Sequence, residues 1–117
     1  MLYAIDACEE QYLGSHGMHD CRIVDCNSRE EAVEIAIQMS YDVMDSYRCI
    51  MEELTLYASE RHEEGSPEWQ EELENARREN LCYDIFRVLN TRGKSIPELE
   101  EELYDDKNQF FSNYCNI

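Results

Sequence analysis

"LCYDIFRVL", residues 81–89, admits two readings, and the choice between them decides the fold. Helical spacing would run on from Leu73 through Leu81, Ile85 and Val88. Against that, the stretch is dense in β-branched and aromatic residues, follows Asn80 as a helix stop, and leads into the turn-prone NTRGK. A third strand is the favoured reading. It would join an N-terminal hairpin formed by residues 2–8 (LYAIDAC) and 21–26 (CRIVDC), with Gly14, Ser15 and Gly17 in the connection. The fold class is then α+β: a small antiparallel sheet against helices, in a single domain spanning residues 1–117.

The helices carry their own start signals. Ser28 and Glu31 form a capping box before an apolar periodic run, so a helix begins there. Projected at helical pitch, residues 29–60 place Ala32, Ala36, Met39, Ser40, Val43, Tyr47, Ile50, Leu54, Tyr57 and Ala58 on one face, widened by Ile37, Met44 and Met51. The opposite face collects Glu31, Glu34, Asp42, Asp45, Glu52, Glu53 and Glu60, with Leu56 and Cys49 as exceptions. One long amphipathic helix is expected. Gly65 can end it, Ser66 can cap the next, and Pro67 suits a first turn; Trp69, Leu73 and Ala76 would then fold back as a helical hairpin. Ser95 and Glu98 make a further capping box, with Ile96, Leu99 and Leu103 inward and Glu98, Glu101, Glu102 and Asp105 outward. The closing NQFFSNYCNI brings Phe110, Phe111 and Tyr114 as a helical lid.

Charge bounds the function. The 117 residues hold 27 acids and 10 bases, a net −17, with only two lysines, Lys94 and Lys107. Direct nucleic-acid binding and an anionic membrane surface both need clustered Lys and Arg, so neither is expected. A basic protein partner is. The start, MLYAIDACEEQYL, has neither a positive n-region nor a long apolar run, so a cytosolic location is expected and the six cysteines are read as free thiols.

No catalytic signature is present. The chain lacks the Walker phosphate loop, the dinucleotide glycine fingerprint and the serine nucleophile elbow, and its four glycines can hardly build a phosphate cradle. "YDDK" at 104–107 sits at an expected helix end, where solvated acids keep ordinary acidity, so no enzyme activity is expected. Cys8, His16, His19, Cys21 and Cys26 are close enough in sequence to supply a tetrahedral zinc site. Their spacing matches no known zinc signature, and strand cysteines beside loop histidines, with no metal or cofactor, are the expectation.

Spread along a body roughly 40 Å across, the net charge averages one per ~2.4 Å, the order of the ~1.7 Å of duplex DNA. The acid is uneven: residues 28–65 sum to −7 and residues 81–93 to +1. A surface of that density can take the place of phosphates in a basic groove. The solvated face of an ordinary small protein, a structural or adaptor module dimerising through its long helix, is one alternative, and a small zinc-binding regulator built on Cys8, His16, His19 and Cys21 is the other.

A compact acidic chain with a hairpin, a capped S-x-E-E-A-x-E-I-A helix, a helical hairpin, a "YDIF" strand and an "ELEEELYDD" terminus resembles small proteins of phages and mobile elements in Gram-positive bacteria. Some proteins of that kind are anti-CRISPR inhibitors, several of which mimic DNA. The resemblance implies an inhibitor of a Cas effector. Its contacts would be Glu31, Glu34, Asp42, Asp45, Glu52, Glu53, Glu60, Glu98, Glu101, Glu102 and Asp105.

Overall fold

A computed structural model describes residues 1–9, 19–46 and 48–116, the side chains of residues 9 and 48–50 excepted. Three antiparallel strands, β1 (Leu2–Glu9), β2 (His19–Asp25) and β3 (Leu81–Arg87), form one sheet in the order β2-β1-β3. The third strand expected at 81–89 is present, and it pairs with β1 rather than β2. That makes β1 the central strand. Its Ala4, Ile5 and Ala7 are fully buried, as a strand covered on both faces requires. The expected connection through Gly14, Ser15 and Gly17 lies outside the described residues.

Period-two alternation divides the core into two layers. On one face, Tyr3, Ile5, Ala7 and Cys26 pack against Ala32, Ala36 and Met39 of α1 (Arg29–Ser46). On the other, Ala4 and Ile23 pack against Leu99 and Leu103 of α4 (Ile96–Asp105). Phe110 and Tyr114 complete that layer. They come from α5 (Lys107–Phe110) and the π-helical segment Phe111–Cys115 that follows it. The expected lid is therefore present, but Phe111 stays 39% exposed and only leans on Phe86, ring centroids 5.0 Å apart.

The helix expected over 29–60 is described as two segments, α1 and α2 (Arg48–Ser59), on either side of residue 47, which lies outside the described residues. Along them Ala32, Ala36, Met39, Ser40, Val43, Met44, Leu54 and Ala58 are buried as the periodicity predicts. Tyr57 is not. It is 55% exposed, its ring under the Arg61 guanidinium at 4.7 Å, because α3 (Pro67–Glu79) covers the other side of α2. The hairpin turns through Gly65, whose φ of +85° a side chain would strain. Leu73 and Ala76 pack beside Leu54 and Met44, and Trp69 Nε1 donates to Ser59 Oγ at 3.0 Å.

Capping proceeds as the sequence indicates. The Ser66 hydroxyl accepts from the Trp69 amide, and Ser95 with Glu98 closes a reciprocal box. At α1 the Glu31 amide donates to Ser28 Oγ, while the Glu31 carboxylate reaches back to the Asn27 amide. No helix among the described residues is long and apolar enough to cross a membrane.

Candidate partner-binding surface

The eleven acids do not share one surface. Those on α1 lie on one side of the sheet and those on α4 on the other, because the two layers of core hold these two helices to opposite faces, while α2 packs on α1 and α3. Several also have work inside the protein. Glu31 and Glu98 cap helices, and Asp45 pairs with Arg77 of α3 at 2.8 Å. Glu102 accepts from Tyr114 Oη at 2.6 Å, and Asp42 accepts from Gln38 Nε2 at 3.0 Å. Among the described residues no cation meets Glu34, Glu53, Glu60, Glu101 or Asp105, all exposed. The free negative charge is therefore concentrated on part of the predicted set.

Periodicity alone left out the acids of α3. Residues 52–79 hold ten acids against three arginines, and Glu68, Glu71, Glu74 and Glu79 stand exposed on a helix that buries no residue completely. The signal was legible in composition, since PEWQEELENARRE is polar almost all round.

The outer side of α2 carries an open cleft of about 610 Å³. It is lined by the apolar Met51 and Leu56, by Thr55 and Ser59, and by the acids Asp45, Glu52 and Glu64. Leu56, which broke the polar face in projection, is 61% exposed. Apolar side chains beside carboxylates suit a lysine or arginine, which lays its aliphatic stem on the former and its charge against the latter. The molecule measures 55 × 30 × 20 Å, so its 17 net charges average one per roughly 3.2 Å of length. That is sparser than the ~2.4 Å expected from a rounder body, and near the ~3.4 Å of one nucleic-acid strand.

The cysteines and histidines are sorted by the same two faces. Cys26 points to α1 in a buried apolar cluster, whereas Cys21 leans on the α4 side, so the two cannot be ligands of one ion. His16 lies outside the described residues. Cys8 faces Cys82 of β3, their Sγ atoms 3.0 Å apart. His19 and Cys21 gather instead around Asp6, a residue that the sequence reading passed over. The five described cysteines are free. Comparison with protein-family models, with curated proteins and with solved structures finds no match to this chain.

Proposed function

We propose that this protein is a non-catalytic binding module whose acidic helical surface occupies the basic, nucleic-acid-binding groove of another protein, inhibiting it. A CRISPR–Cas effector is the target class that the resemblance implies. The observation that carries the reading is the α2–α3 hairpin: exposed carboxylates, Glu53 and Glu60 at α2 with Glu68, Glu71 and Glu79 on α3, beside a cleft in which Leu56 is exposed. Carboxylates supply steering and register, while desolvation of Leu56 and Met51 supplies contact energy at the centre. The α4 acids, on the face of the sheet opposite α1, are left to solvation, to capping and, at Glu102, to the bond from Tyr114.

The test is capture on immobilised protein from bacterial lysate containing a guide-loaded Cas effector, with parallel elution by duplex DNA and by salt. Nucleic-acid enzymes released by DNA, and no longer captured by the variant Glu34→Lys/Glu53→Lys/Glu60→Lys, are the expected result. Capture that this charge reversal leaves unchanged would overturn the electrostatic reading. An empty matrix together with a tight, charge-insensitive dimer in sedimentation would replace it with the self-associating module.

A further inference from the structure

Three different donor atoms converge where β1 and β2 meet under α4. The register sets Asp6 opposite Cys21 and Cys8 opposite His19, so Asp6, Cys21 and His19 project from one face of the sheet. His19 Nδ1 lies 2.9 Å from Asp6 Oδ1, Cys21 Sγ lies 3.3 Å from the same oxygen, and Sγ and Nδ1 are 3.4 Å apart. A tetrahedral zinc ion with bonds of about 2.0–2.3 Å separates such ligands by about 3.3–3.5 Å. The three atoms thus stand within a few tenths of an ångström of a ligand triangle.

Their neighbours hold them in place. Asp6 is only 7% exposed, and its second oxygen, Oδ2, lies 3.3 Å from Lys107 Nζ, which leaves Oδ1 to face the histidine and the thiol. Lys107 leans to Asp84, at 2.6 Å, and so stands off the triangle. The His19 ring lies flat on Tyr104, centroids 4.5 Å apart and planes 9° from parallel. Such outer contacts are what orient ligands in metal sites.

We infer that Asp6 Oδ1, His19 Nδ1 and Cys21 Sγ bind a divalent transition metal of borderline softness, zinc first, with the fourth position filled by water. Imidazole and thiolate together disfavour calcium and magnesium, which take oxygen ligands. Charge agrees in sign: Asp6, Asp84, the nearby Asp20 and a Cys21 thiolate are negative against the single positive Lys107, an excess that favours a divalent ion. Binding breaks the S–H bond of Cys21, forms the metal–sulfur bond and releases the proton to solvent.

The test reconstitutes the full chain with zinc or cobalt(II), removes loose ions by gel filtration, and measures bound metal and the cobalt spectrum. One equivalent of zinc per chain and a thiolate-to-cobalt charge-transfer band are expected. Asp6→Asn and His19→Ala should lower retained zinc at least tenfold, Cys21→Ser should also abolish the band, and Cys26→Ala, on the opposite face, should retain the metal. Wild-type protein that holds no zinc, a cobalt spectrum without the thiolate band, or zinc retained by all three ligand variants would overturn the site. Should a variant fail to fold, zinc-dependent protection of Cys21 from alkylation in the wild type decides the same point, and an unprotected Cys21 counts against it.

Discussion

Tyr114 Oη donates a 2.6 Å hydrogen bond to Glu102 Oε2, joining the π-helical segment to α4. Lys94 Nζ stands 3.5 Å from the same oxygen. Glu102, one of the acids expected to meet a partner, also serves as an internal acceptor for a tyrosine whose ring is buried. Tyr114→Phe should cost about 1.5 kcal/mol, the lower end for a bond to a charged group, because Glu102 keeps contact with water. The hydrogen bond to Glu102, then burial, raises the Tyr114 phenol above its usual 10.0. Folding therefore favours the protonated form. Its contribution should be whole below pH 10 and fade as pH climbs through the folded value. Urea midpoints of wild type and Tyr114→Phe across neutral to alkaline pH check this: the gap between them should hold and then narrow.

Ser40 is fully buried on α1, and its Oγ accepts from the Cys82 amide at 3.1 Å while donating to the Cys8 carbonyl at 3.4 Å. One hydroxyl thus ties the main helix to both strands. Ser40→Ala should destabilise by about 1–3 kcal/mol, since it strands a buried amide. Denaturant unfolding gives the magnitude, and faster hydrogen exchange at the Cys82 amide gives the location.

Cys8 and Cys82 are paired in register with their sulfurs in contact. Directly opposed strand residues lie within the Cα separation that a disulfide spans. Mild oxidation with diamide should therefore cross-link 8 to 82, as read by peptide mapping, and leave the buried Cys26 and Cys115 as thiols. Burial, and then Cys82, push the Cys8 thiol up to about 12, so its alkylation near pH 8 should be slow. A map in which Cys8 cross-links elsewhere, or not at all, would contradict the pairing.

Leu56 separates binding from stability. It is 61% exposed, so Leu56→Ser should change unfolding free energy by no more than about 0.5 kcal/mol. The same change should weaken the captured complex several-fold if the cleft receives an aliphatic stem. Calorimetric melting and partner titration on one preparation test both halves.

Much of the fold was legible because its signals are local. Caps at Ser28, Ser66 and Ser95 act within three residues, and the buried stripe from Ala32 to Ala58 follows from helical pitch. The strand at 81–87 was readable from its aromatic and β-branched residues, although its partner was not. Glu100 illustrates the limit. Its carboxylate accepts the Ile23 amide on the edge strand β2 across 77 positions of sequence, and helical phase alone cannot reveal such a contact.

The sequence by itself determined the acidity, the helix starts and the division of each element into an inner and an outer face, because composition and periodicity are properties of neighbouring residues. Only the tertiary structure decided that α1 and α4 hold their acids on opposite sides, and that Asp6, His19 and Cys21 meet in one triangle. Both follow from strand register and from which face each helix covers, and one residue of slip would exchange the faces and scatter the triangle.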